Sequence, residues 1–157
     1  GRMKTALYVA NVARVYRMAI DDYYTDPALY EERIPFYRSE LEKGTYRQFT
    51  TGFFYGKPTH DTQIYDSNTY IRNYTYLGTI STSNEAGLYG FEQKNKFCVN
   101  DEIEIMRCDG NTYKVKVLRM TDEDGNDIES CPHPGQKIFI DVGMELKEYD
   151  LMSISEK

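Results

Sequence analysis

Tryptophan is absent from this 157-residue sequence, histidine occurs twice and cysteine three times. Three thiols are an odd number, and Cys98, Cys108 and Cys131 stand at irregular spacing. That argues against a secreted disulfide framework and leads us to expect a reducing cytoplasm. Basic residues are also outnumbered: 19 Lys and Arg face 25 Asp and Glu, a net charge of −6. Strong nucleic-acid affinity comes mostly from neutralised phosphates, so the chain as a whole does not read as a strong binder, although local basic strips remain open. No apolar run is long enough to span a bilayer, and no membrane partner is expected.

What is abundant is tyrosine, with 15 copies offering aromatic surface with a polar tip. The balance of 40% hydrophobic to 28% charged residues is that of a globular protein. A chain of this length holds one ordinary domain, or a small one with an appendage, and buries roughly 70% of its unfolded surface.

Periodicity divides the chain. Over residues 5–24, Val9, Val12, Tyr16, Ile20 and Tyr23 recur at steps of three and four, the apolar stripe of an amphipathic helix. Asp26 suits an N-cap and Pro27 the first position of a second helix, short and broken at Ile34–Pro35. A third helix, "FYRSELEKG", is expected to end on Gly44 as its C-cap. From about Tyr46 the pattern turns extended, with "RQFTTGFFYGKP" aromatic and β-branched. Strands are predicted over 74–82, 86–93, 102–107, 112–121, 136–142 and 149–154. The clearest, "TYKVKVLRM", sets Tyr113, Val115 and Val117 on one face against Thr112, Lys114 and Lys116 on the other. Six short strands suggest a small closed barrel, because closure removes sheet edges. The fold expected is mainly β with an N-terminal helical segment: 1–45 helical, 46–68 an extended aromatic linker, and 69–157 a small antiparallel β-barrel.

Four segments in collinear order carry a family resemblance: "GRMKTALYVANVARVYRMAID", "RQFTTGFFYGKP", "FEQKNKFCVNDEIEI" and "PHPGQ" at 132–136. They resemble the C-terminal region of collagenase-like peptidases of family U32, and the resemblance covers nearly the whole chain. It implies a barrel of the translation-factor type, preceded in the intact protein by a (β/α) catalytic domain that would be the first partner of this chain. Gly1 to Lys4 would then be the exit of that domain's last strand and the first helix its last helix, with Arg2 bordering its active site. It also implies activities ranging from peptide cleavage to hydroxylation of tRNA or rRNA. An iron–sulfur cluster in some relatives would sit upstream, and no cofactor is expected in this portion. Tyr46 stands where the family pattern has His. With its original neighbour missing, the stripe of the first helix should fold back onto the barrel or bury itself against another copy.

Several constellations contain residue types that could carry chemistry. Cys98, Cys108, Cys131 and His133 could supply a tetrahedral zinc site, but there is no C-x-x-C pair, and a packing role for the thiols is the plainer reading. "TDEDGNDIES" begins like a calcium loop yet has Asp127 and His133 where Gly and Glu are needed, so an Asp-Gly hairpin loop is expected instead. Glu102 and Glu104 share a strand face that reads as the solvated side, with Ile103 and Ile105 inward. No catalytic residue or metal ligand is assigned.

Six basic residues form the candidate nucleic-acid surface: Lys94, Lys96, Arg107, Lys114, Lys116 and Arg119. If consecutive strands pair as hairpins, these could converge into one strip beside tyrosines, a combination small barrels use to follow a phosphate backbone and stack bases. The expectation is therefore a non-catalytic module that positions a macromolecule, RNA ahead of peptide. The alternatives are presentation of a peptide substrate, or a purely structural or self-association role through the first helix.

Overall fold

The computed structural model describes residues 3–44, 51–59, 73–83 and 87–156. Thr5 caps helix α1 (Ala6–Thr25), its hydroxyl accepting from the Tyr8 amide at 3.3 Å. Asp26 is the one residue between the helices, and its carboxylate accepts from the Ala28 amide at 2.9 Å to start α2 (Pro27–Leu41). That is the expected cap, with Pro27 where its missing N–H costs nothing.

The predicted break at Ile34–Pro35 does not occur, and α2 runs through Pro35. Proline removes one intrahelical bond and crowds the preceding turn, but α2 is held along its length by α1, so one helix replaces two. Asp22 pairs with Arg33 and accepts from the Tyr37 hydroxyl, and Asn11 donates to the Glu40 carbonyl at 2.6 Å. Gly44 is not the C-cap; Glu42 is, and Gly44 packs where a Cβ would lie 3.2 Å from the Tyr8 ring.

The stripe predicted for α1 is not the face that packs. Leu7, Asn11 and Val15 are buried, whereas Val9, Tyr16, Ile20 and Tyr23 are 45 to 60% exposed. Counting apolar residues alone misplaced the face, because its centre holds Asn11 beside Arg14, polar groups buried with partners.

Among the described residues eight strands follow: β1 (Tyr74–Thr79), β2 (Thr82–Ser83), β3 (Tyr89–Glu92), β4 (Glu102–Met106), β5 (Thr112–Lys116), β6 (Arg119–Thr121), β7 (Lys137–Asp141) and β8 (Leu151–Ser155). They form two antiparallel four-stranded sheets, ordered β1-β8-β4-β5 and β2-β3-β7-β6. Two predicted strands are each split in two. Span 74–82 turns from one sheet into the other at Ile80–Ser81, and span 112–121 does so at Val117–Leu118. Among the described residues the pairing is thus two sheets with shared corners, and no single ladder closes into a barrel.

Between the sheets lies one core, in which Leu77, Phe91, Ile103, Ile105, Ile140 and Met152 are fully enclosed. The sheets approach closely at Gly78, where a Cβ would sit 2.4 Å from the Phe91 ring. The outer face of the first sheet receives α1, with Leu7 against Met106 and Leu151 and with Tyr76 beside them. Tyr74 and Tyr76 lie where the helical segment meets the first sheet, whereas Phe53, Phe54 and Tyr55 are exposed. The expected 46–68 linker is described only at 51–59, and Arg2 and Tyr46 lie outside the described residues. Among the described residues no helix is long and apolar enough to cross a membrane.

Candidate functional site

The most elaborate polar arrangement joins the helical hairpin to the first sheet. Arg14 pairs with Glu40, donates to the Gly110 carbonyl at 2.9 Å and to Asn11 Oδ1 at 3.1 Å. Lys43, just past α2, reaches Glu40 at 3.0 Å and Glu104 of β4 at 2.8 Å, and its ammonium lies over the Tyr74 ring, 5.2 Å from the centroid. Asn73 adds a bond from its amide nitrogen to the Glu42 carbonyl at 3.0 Å. Burial works to lower the Lys43 pKa, but its hydrogen bonds to Glu104 and Glu40 outweigh it and hold the group above its ordinary value. The network keeps the lysine charged and fixes the hairpin on the sheet.

This corrects the expectation for Glu104. It shares a face with Glu102 and Lys114, but only Glu102 is solvated; Glu104 is buried beneath Lys43. Ile103 and Ile105 do point into the core. Sequence reasoning missed Arg14, Glu40 and Lys43. The three-residue step from Glu40 to Lys43 was a local signal, but nothing local links Lys43 to a strand sixty residues on.

The six basic residues fall in separate places. Lys114 and Lys116 lie on β5, an edge of the first sheet, opposite Glu104 and Glu102. Lys94 and Lys96 follow β3 and lie beside β1, the other edge, where the Lys94 amide donates to the Leu77 carbonyl at 2.8 Å. With β8 and β4 between, those edges are about 14 Å apart. Lys94 pairs with Glu92, and Lys96 is exposed. Arg107, at the end of β4, donates to the Glu145 carbonyl, lies 3.8 Å from Asp150 and covers the Tyr113 ring at 5.1 Å. Arg119 is on β6 of the second sheet, bound to Asp127 at 2.7 Å. The single strip expected from hairpin neighbours does not form.

Two of the family-like segments do meet. The Gln93 amide donates to the Gln136 carbonyl at 2.9 Å, and the Gly135 amide returns to Gln93 at 2.7 Å. The buried Gln93 side chain donates to the Cys131 carbonyl at 3.0 Å. This lacing sets Lys94 and Lys96 next to the "PHPGQ" loop.

The thiols do not assemble. Cys131 is buried, and burial pushes its pKa up; Cys98 is half-buried; Cys108 is exposed. Among the described residues no three His, Cys, Asp or Glu side chains are placed to hold a metal ion. The "TDEDGNDIES" loop is the expected hairpin turn: Gly125 has φ +85°, and Asp122 accepts from the Asp124 and Asn126 amides at 3.0 and 2.8 Å.

A mainly β unit with two N-terminal helices clamped to its outer face is thus the class of protein at hand. Residues 72–153 match the Peptidase family U32 C-terminal domain, and residues 1–64 match Peptidase family U32. The chain belongs to peptidase family U32. It is 29% identical to tRNA hydroxylation protein P1 of Bacillus subtilis over 97% of its own length and 36% of that protein's. It is also 29% identical to tRNA hydroxylation protein P of Escherichia coli, over 94% of this chain and 32% of that one. The chain spans about a third of the length of these curated relatives. The crystal structure of the C-terminal domain of a U32-family protein of Geobacillus thermoleovorans aligns with a TM-score of 0.46 and 26% identity, covering 50% of this chain and 96% of that one.

Proposed function

We propose that this chain is the non-catalytic accessory part of a U32-family protein acting on RNA, and that it holds a structured RNA for a catalytic domain elsewhere in the same polypeptide. The observation that carries this reading is that likeness to proteins named for tRNA hydroxylation runs through both helices and both sheets. The Arg14–Glu40–Lys43–Glu104 network supports it, since a substrate-holding arm must keep a fixed direction relative to the part that reacts. The exposed apolar residues of the hairpin, Tyr16, Ile20 and Tyr23 with Ile34 and Phe36, are the seat of the catalytic domain. Arg2 borders that domain's active site, and any iron–sulfur cluster belongs there.

The test is binding of bulk tRNA to the chain by fluorescence anisotropy over a salt series. The expected result is saturable binding whose constant falls linearly with salt on logarithmic axes. Because the lysines occupy two edges, Lys94→Glu with Lys96→Glu and Lys114→Glu with Lys116→Glu are made as separate pairs, and the pair that weakens binding marks the edge in use. Absence of binding at low salt overturns the RNA role and leaves peptide presentation or a structural role.

A further inference from the structure

Where α1 crosses the outer face of the first sheet, it leaves a cleft of about 470 Å³ against the β4–β5 turn. This is within the usual size range of small-molecule sites. Its floor is apolar, formed by Ala10, Ala13 and Met18 of α1 with Met106 and Leu151 of the sheet. Arg17, Arg107 and Tyr149 stand at the same cleft, accompanied by Asp21 and Asp109.

Tyr149 is the unusual element. It is 65% exposed, yet its backbone has φ +72°, a left-handed conformation unfavourable for a residue with a Cβ. The surroundings hold it there: its amide donates to the Ile80 carbonyl at 2.9 Å, and the Asp150 amide returns to Lys147 at 3.1 Å. A strained backbone is thus maintained to present a large aromatic ring that is not buried. Arg107 is fixed as well, between the Glu145 carbonyl and the Tyr113 ring.

The charges select the kind of occupant. Arg17 is engaged by Asp21, and Asp109 stands near Arg107, so the cleft carries little excess positive charge for a phosphate. Both Asp21 oxygens accept from Arg17, and Asp109 Oδ1 accepts from the Asn111 amide, so an apolar floor beside an aromatic ring on a held backbone suits a flat, uncharged heterocycle. We infer that this cleft takes one unstacked nucleobase of an RNA strand, with Tyr149 as its stacking surface. The inference rests on the RNA reading above and locates a contact away from both lysine edges.

The test uses the chain with two probes, bulk tRNA and a short single-stranded oligoribonucleotide carrying a fluorescent aminopurine. Tyr149→Gly removes the ring while relieving the left-handed backbone, so it should melt no lower than the parent. Ala13→Trp, at an exposed position of α1, fills the cleft from the helix side. Saturable quenching of the aminopurine is expected, with affinity reduced about tenfold in each variant. Equal affinity of parent and both variants for the oligonucleotide and tRNA overturns the cleft while leaving the RNA role standing. Failure of the parent to bind either probe overturns both.

Discussion

Lys43 Nζ lies 2.8 Å from Glu104 and 3.0 Å from Glu40, so one ammonium group ties the helical hairpin to strand β4. Lys43→Met leaves Glu104 buried with no cation beside it, and urea unfolding should show a loss of about 2–4 kcal/mol. The sign with pH follows from the raised lysine pKa: the contribution is complete below the unfolded value of about 10.4 and fades as pH rises through the folded one. An alkaline titration of stability should therefore show a late decline in the parent that Lys43→Met lacks.

Gly78→Ala is expected to destabilise by about 1–3 kcal/mol. The added methyl meets the Phe91 ring and also the Glu92 carbonyl at 3.1 Å, and backbone cannot step aside. Gly125→Ala has open space around it, so its cost comes only from φ +85°. Thermal melts of the two variants should separate a clash from a dihedral penalty.

The thiols should react in order of access. Iodoacetamide under native conditions is expected to label Cys108 first and Cys98 more slowly. Cys131, fully enclosed and with its thiol pKa raised by burial, should remain unlabelled until the chain unfolds. Mass spectrometry of timed digests reads this directly. Early labelling of Cys131 would contradict the packing of its segment against Phe97.

Acid should loosen the protein through the helical hairpin and two turns. Asp22 is held below the usual carboxylate range by the Tyr37 hydroxyl and then Arg33, Asp109 by Asn111, and Asp122 by Asn126. A depressed folded pKa contributes stability that is present above the unfolded value, about 3.9, and is lost as pH falls through the folded one. The melting temperature should thus drop steeply below about pH 4, and Asp22→Asn should flatten that limb.

Helix starts were legible in the sequence because Thr5, Asp26 and Pro27 act locally, through bonds spanning two or three residues. All six predicted strand spans contain strands for a similar reason: alternation is a property of neighbours. The corners were not legible, since alternation continues through Ile80–Ser81 while the backbone turns into another sheet. The basic strip failed on strand order. The last strand, β8, inserts between β1 and β4, and β7 separates β3 from β6. Those choices are settled by core packing between strands whose partners stand 18 to 81 residues apart, as is the meeting of Lys43 with Glu104.

Two stretches of chain, 74–83 and 112–121, each serve both sheets in turn. Neither sheet owns its edge strands outright, so neither can open, be trimmed or be exchanged while the other stays whole. The pair must form and fail together, and any load placed on one edge is felt across the core at the opposite corner.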